Sequence, residues 1–257
     1  MKFDVTRFSK AIKKLNFINQ FEYYDEIDST NSYLLKKQNL TDKTLVLAEF
    51  QFKGKGRLER KWFANAYENL TFSIGLIPEL KTNELGYLNF CTALSIAEAI
   101  EKNAKCKVET KWPNDLLLGG KKFCGILIES QFEENHLSKS IIGIGLNVNQ
   151  TVFQDEFKER TTSLRLSFNK NFKREEVLLK VLKQFSKNYL TLSKDINSII
   201  KKWKSRCNSL GKEISLTNNK DIFTGIFEDV AEDGSLILNQ NGKLLKLFSG
   251  DVTVIKE

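Results

Sequence analysis

The sequence predicts an α+β fold in two parts, a body of interleaved helices and strands over residues 1–206 and a small β module over residues 207–257. Three observations carry this expectation. Apolar residues recur at helical spacing in some segments and at alternate positions in others. A Gly119-Gly120 pair joins two apolar runs as the short link of a hairpin. From Leu210 onward only short strand-like runs occur, separated by Asp233-Gly234 and Asn241-Gly242 turn signals.

The chain opens on an amphipathic stretch carrying Phe3, Phe8, Ile12 and Leu15, whose charges and Asp4 argue against a leader peptide. A helix is predicted over residues 30–37, with Ser29 or Thr30 as its cap. Residues 44–50 read as a strand, followed by a loop rich in Gly, Lys and Arg through Lys61. Alternating apolar positions predict a strand over residues 69–77, and residues 87–102 read as a buried helix with Leu88, Cys91, Leu94 and Ala99 inward. A strand over 107–111 leads to a turn at Pro113-Asn114. Leu116-Leu117-Leu118 and residues 121–129 form the hairpin arms, and residues 140–148 are again strand-like. Leu178, Leu182, Phe185 and Tyr189 set a helical pattern within residues 173–206. The last fifty or so residues read as a small β-barrel or half-barrel.

Composition narrows the chemistry. A hydrophobic share of 41% supports a substantial core. No apolar run approaches the ~20 residues of a membrane helix, so a soluble, cytoplasmic protein is expected. Cys91, Cys106, Cys124 and Cys207 lack zinc-site spacing and read as reduced thiols. The one histidine, His136, falls in what reads as an exposed turn over residues 133–136. Histidine-based triads and metal sites would have to rest on it alone. The chemistry therefore falls to Lys, Arg, Asp, Glu and backbone groups, with no metal held by protein side chains. The net charge of +8 is concentrated over residues 169–206, which hold eleven Lys and Arg against three Asp and Glu. A solvated helix face is the first reading of that segment, an acidic protein partner the second and nucleic acid the third.

Three segments could carry chemistry. The first runs from Gly54 to Trp62. Its glycines permit close backbone approach, Arg57 and Arg60 can grip phosphate or carboxylate, and Trp62 offers a stacking surface. It lacks the Gly-Lys-Ser/Thr ending of a phosphate-binding P-loop. A basic surface turn or a nucleic-acid-binding loop would share this composition, and Phe63 and Tyr67 nearby keep the second alternative open. The second is Lys111-Trp112-Pro113-Asn114-Asp115 with Lys122 and Gly125 on the returning arm. Lys122 could aim an ammonium at an anion or be a solvated hairpin lysine. It shares a strand face with Gly125 only if the strand bulges. In the third, Gly143-Ile144-Gly145-Leu146-Asn147, alternate glycines bare one sheet face for a ligand or for a close-packed helix.

In this order the segments resemble the biotin–protein ligase family. The resemblance is carried by Asp28-Ser29-Thr30-Asn31, Gln51 with Gly54 through Trp62, Lys111 through Asp115, Lys122 through Glu129, and Gly143 through Asn147. It implies a mixed sheet flanked by helices, of the class II synthetase-like ligase type, with a small SH3-like β-barrel at the C-terminus. The implied activity forms biotinyl-5′-AMP from biotin and ATP with Mg²⁺, then transfers biotin to a lysine of a biotin carboxyl carrier protein.

The resemblance further implies a biotin site of Ser29, Thr30, Asn31, Gln51, Lys55, Gly56, Arg57, Lys122, Gly125, Gly143 and Gly145. Arg57, Arg60, Trp62, Lys122 and Asn147 are implied at ATP, with Arg57, Arg60 and Lys122 catalytic. Asp115 would assist transfer or cap its turn. Lys55 stands where arginine is usual in the family, and Leu58-Glu59 replaces a more basic or glycine-containing pair. About twenty residues precede the motifs, so no operator-binding domain and no specific DNA partner are expected, and a homodimer is left open. The basic 169–206 segment is a candidate dock for an acidic carrier. A lipoate or octanoate ligase or transferase of the same superfamily is the nearest alternative, and a basic nucleic-acid-binding protein is the alternative from another class.

Overall fold

Helix α1 (Val5–Lys13) begins where the Asp4 carboxylate accepts a hydrogen bond from the Arg7 N–H, and it buries Phe8 and Ile12, one turn apart. The computed structural model describes residues 2–58, 60–80, 84–104, 106–134, 136–192, 194–218, 221–231 and 233–255. Glu59 and Asn135, which enter the loop and turn readings above, lie outside them. No strand is predicted from the sequence at β1 (Gln20–Ile27), yet it pairs in parallel with β2 (Thr44–Gln51), and α2 (Thr30–Lys36) crosses between them.

Then follow β3 (Leu70–Leu76), α3 (Leu85–Ala104), β4 (Glu109–Lys111), β5 (Asp115–Leu118), β6 (Lys121–Glu133) and β7 (His136–Leu146). Gly119 and Gly120 both take positive φ, 56° and 75°, which the two-residue β5–β6 link requires. The seven strands form a mixed sheet in the order β1-β2-β3-β7-β6-β5-β4, antiparallel everywhere but at β1–β2. His136 is exposed and opens β7 opposite Glu133, so the hairpin extends beyond the predicted strand ends.

After the short helices α4 (Asp155–Lys158) and α5 (Leu164–Phe168), the basic segment forms two helices, α6 (Arg174–Leu192) and α7 (Ile196–Lys204). Asp195 starts the second by accepting from the Ser198 N–H. Strands β8 (Glu213–Asn218), β9 (Asp221–Val230), β10 (Leu236–Gln240), β11 (Lys243–Leu247) and β12 (Asp251–Val254) form an antiparallel sheet in the order β11-β10-β9-β8-β12. The Trp112 indole, 1% exposed, donates to the Gly234 carbonyl at 2.9 Å and ties this sheet to the turn before β5.

Alternation gives the large sheet two unlike faces. Leu45, Leu47, Phe72, Ile74, Ile142 and Ile144 point to the main core, which α3 and α6 complete with Leu88, Leu94, Leu178 and Phe185. The other face carries Thr71, Ser73, Gly75, Gly125, Gly143 and Gly145. Helix α2 covers only part of it, through a small cluster of Leu34, Val46 and Ile141. A face of glycines and hydroxyls beside an ordinary core lets a side chain or a ligand lie directly against the backbone.

Candidate active site

The site is built on that bare face. Ser29 caps α2, its hydroxyl accepting from the Ser32 N–H, which fixes the helix start against the sheet. A row of hydrogen bonds then runs across the strands. Gln51 Oε1 accepts from the Thr30 N–H at 2.7 Å, Thr30 Oγ1 is 2.6 Å from Ser73 Oγ, and Ser73 donates to Asn31 Oδ1 at 2.6 Å. Asn31 Nδ2 donates to Glu129 Oε2 at 2.8 Å. Thr30, Asn31 and Ser73 are buried, so each polar group there needs a partner.

Residues 54–56 and 60–62 pair as the arms of a tight hairpin. The Trp62 N–H donates to the Gly54 carbonyl at 3.0 Å, Lys55 and Lys61 form an antiparallel bridge, and the Gly56 N–H donates to the Arg60 carbonyl at 2.6 Å. A Cβ on Gly54 would lie 2.5 Å from the Trp62 carbonyl oxygen, so only glycine allows this closure. The hairpin lays Trp62 over the facing pair Gly125 and Gly145, where a Cβ on Gly145 would fall 2.2 Å from the indole ring. Arg57 turns inward and donates to Asn114 Oδ1 at 3.3 Å. Burial pushes its pKa down, partly offset by Asp115 and Asp251. Arg60 points outward and pairs with Asp251 of β12.

Lys122 and Gly125 do share a face. The β5–β6 register slips between Leu116 and Leu117, and this bulge brings Lys122 Nζ within 3.2 Å of where a Gly125 Cβ would stand. Lys122 Nζ lies 2.7 Å from Asp115 Oδ1 and 5.6 Å from the Trp62 ring centroid. Asn147 is fixed beside it, since Asn147 Nδ2 donates to the Thr162 carbonyl while the Thr162 N–H donates to the Lys122 carbonyl. Among the described residues, the buried side-chain polar atoms without a hydrogen-bond partner are Trp62 Nε1, Asp115 Oδ1 and Asn147 Oδ1. The ionic contact of Asp115 with Lys122 is close but off-line for a hydrogen bond. Asp115 Oδ1 is compensated by that ammonium, whereas Trp62 Nε1 and Asn147 Oδ1, on residues that surround the same lysine, cost about 1–3 kcal/mol each until something pairs with them.

Comparison with known proteins meets this geometry. The model of the Biotin/lipoate A/B protein ligase family matches residues 23–147, and that of the Biotin protein ligase C terminal domain matches residues 209–254. A biotin–[acetyl-CoA-carboxylase] ligase of Paracoccus denitrificans is 30% identical, covering 82% of this chain and 90% of that protein. The chain belongs to the biotin protein ligase family. The bifunctional ligase/repressor BirA of Bacillus subtilis is 32% identical over 235 residues, 90% of this chain and 72% of that protein. The structure of biotin protein ligase from Aquifex aeolicus in complex with biotin and ATP superimposes with a TM-score of 0.80 at 33% identity, covering 93% of this chain and all of that one.

Within this family fold, the residues singled out from the sequence fall into two groups. Thr30, Asn31 and Gln51 share the hydrogen-bonded row, with Ser29 capping the helix that carries it. Arg57, Trp62, Asp115, Lys122, Gly125, Gly145 and Asn147 gather at the other end. Gly143 bridges them, since its missing Cβ would lie 2.3 Å from Asn31 Oδ1. One expectation changes. The glycines do not leave open space, because Asn31 and Trp62 pack directly on their backbone. Arg60 turns its guanidinium to Asp251 at the edge of the cluster, within electrostatic range of Arg57 and Asp115. Sequence reasoning missed Ser73, Glu129 and Asp251. Ser73 had a signal, for β3 alternates large apolar residues with Thr71, Ser73 and Gly75. Asp251 had none, since only the docking of the second sheet brings it near.

Proposed function

We propose that the chain joins biotin to ATP as biotinyl-5′-AMP and transfers the biotinyl group to a lysine of a biotin carboxyl carrier protein domain. The observation that carries this is the unpartnered polar atoms of Trp62 and Asn147 gathered with the Asp115–Lys122 ion pair and Arg57 at the end of a buried polar row. The row suits a small polar ring, and the cationic end suits an anion. In this reading Ser29, Thr30, Asn31 and Gln51 hold the ureido ring, with Gly143 beneath. Lys55, Gly56 and Arg57 cover the carboxylate, and Trp62 and Asn147 take the nucleotide. ATP enters as its magnesium complex, the metal riding on the phosphates. Among the described residues no group of three or more His, Cys, Asp or Glu could hold a metal ion. Residues 1–206 form the catalytic unit and 207–257 a smaller one that braces it through Trp112 and Asp251.

The biotin carboxylate attacks the α-phosphate and pyrophosphate leaves. Both reactants are anions, so Arg57 and Lys122 offset their repulsion and stabilise the charge that develops. The carrier amine then attacks the anhydride carbonyl and AMP leaves, with Asp115 placed to take the amine proton. Arg60 reaches a phosphate only by leaving Asp251. A cytoplasmic setting accords with four free thiols and the need for ATP. The test is the intact mass of a carrier domain after incubation with the protein, magnesium-ATP and either biotin or lipoate. A gain of one biotinyl group, absent without ATP, is expected. A lipoyl gain alone would move the chain to the sister activity.

A further inference from the structure

We propose that Glu129 is a positioning residue whose carboxylate sets the hydrogen-bond polarity of the row in front of α2 and ties that row to the 54–62 hairpin. The inference rests on the ligase reading above. Glu129 stands on β6 opposite Ile141, on the same face as Gly125. One carboxylate oxygen accepts from Asn31 Nδ2 at 2.8 Å, and the other lies 3.5 Å from Lys55 Nζ.

An ionised carboxylate only accepts. Asn31 must therefore turn its NH₂ to Glu129, where it also donates to the Leu127 carbonyl at 3.3 Å, and its oxygen to Ser73. Ser73 has one hydroxyl proton, and the 2.6 Å bond to Asn31 uses it. In the 2.6 Å contact between Thr30 and Ser73 the donor is then Thr30, whose one hydroxyl proton is shared with Gln51 Oε1 at 3.0 Å. Gln51 Oε1 faces the Thr30 N–H, so Gln51 too has a fixed orientation. The anion at the end of the row thus fixes, together with the Leu127 carbonyl, donor and acceptor from Asn31 to Thr30, while the Thr30 N–H fixes Gln51. A ureido ring presents its own fixed donors and acceptor, and a site discriminates among such ligands only when its polar groups have a defined sense. The same anion holds Lys55, at the entry to the hairpin over the site.

Glutamine at this position keeps the shape but can offer either an oxygen or an NH₂ to Asn31. Asn31 is then held in its present sense only by the longer bond to the Leu127 carbonyl, at 3.3 Å, and Lys55 loses its counter-charge. The experiment compares the full-length protein with Glu129→Gln and Glu129→Ala, measuring biotin binding by calorimetry, KM for biotin and for ATP, and the melting temperature. With hydrogen bonds to charged groups as the scale, Glu129→Gln should weaken biotin binding and raise its KM about tenfold or more. KM for ATP should stay within about twofold and the melting temperature should hold, and Glu129→Ala should lose more biotin affinity than Glu129→Gln. Unchanged biotin affinity in Glu129→Gln, with the wild type binding biotin, overturns the role of Glu129 alone. Equal losses for biotin and ATP together with a lowered melting temperature assign Glu129 to the fold instead. A wild-type protein that binds no biotin overturns the ligase reading itself, and this inference with it.

Discussion

A methyl group added at Gly145 would stand 2.2 Å from the Trp62 ring, closer than any packing tolerates, so the ring has to leave its seat. Stacking of a base on an aromatic ring contributes about 1–3 kcal/mol, so Gly145→Ala should raise KM for ATP by roughly tenfold. The other two tryptophans, Trp112 and Trp203, are each 1% exposed, so a red shift in intrinsic fluorescence would report Trp62 directly. An unshifted spectrum with normal KM would show that the ring is not seated as described. Lys122→Ala and Arg57→Ala act on charge rather than shape. Each should lower adenylate formation by about 10²–10³-fold in a pyrophosphate-release assay, on the scale of lost electrostatic stabilisation. At this scale the sequence was legible where a residue type is rare in its setting, as with alternate glycines in an apolar strand. It was silent on partners. Asp251 lies 191 residues from Arg60, and no local pattern announces their pairing.

Elements were legible where one face repeats cleanly and illegible where it does not. Helix α3 and strand β3 follow from their periods, and the Gly119-Gly120 link from its turn chemistry. Strand β1 escaped because its positions are all partly or fully exposed, so no dry face marks it. The break between α6 and α7 is set by Asp195, one cap in a uniformly basic stretch. What holds these elements in place includes one buried ion pair. Arg174, at the start of α6, meets Glu49 of β2 at 2.5 Å, with side chains 4% and 1% exposed. Burial alone would raise the Glu49 pKa, but the bond and charge of Arg174, the Phe3 N–H and the Tyr23 hydroxyl outweigh it and hold the carboxyl below its ordinary 4.5. A depressed folded-state pKa stabilises above the unfolded value and ceases to do so as pH falls through the folded one. Thermal melts should therefore show stability lost from about pH 4.5 downward. Arg174→Met, which strands the buried carboxylate, should cost about 3–5 kcal/mol at neutral pH in denaturant titration. The pair Glu49→Gln with Arg174→Met should recover much of that and flatten the acid limb. An acid limb unchanged in the double variant would assign it to other carboxylates.

For the whole molecule, the decisive fact is which side of the large sheet each feature occupies. Helices α3 and α6 close the apolar face, whereas the polar row, Trp62 and Lys122 lie on the opposite one. The α6 part of the basic 169–206 segment, a candidate carrier dock on sequence grounds, therefore faces away from the site. Lys180, Lys183 and Lys187 form an exposed stripe on α6, separated from the reacting groups by the sheet and a helix some 10–12 Å thick. At about 0.1 M salt the screening length is only ~10 Å, so the stripe has little reach across that distance. Reversing all three to glutamate lowers the net charge from +8 to +2. The expected result is a single-turnover rate of transfer to an acidic carrier domain within about twofold of wild type at ~0.15 M salt. At ~0.01 M salt, where screening extends to ~30 Å, the reversed protein should associate more slowly, because the field of the whole molecule then steers the encounter. A large loss at physiological salt as well would put the carrier against α6. The activated carbonyl would then have to be reached around the sheet edge, which a lysine on a compact carrier cannot do while docked on the far side.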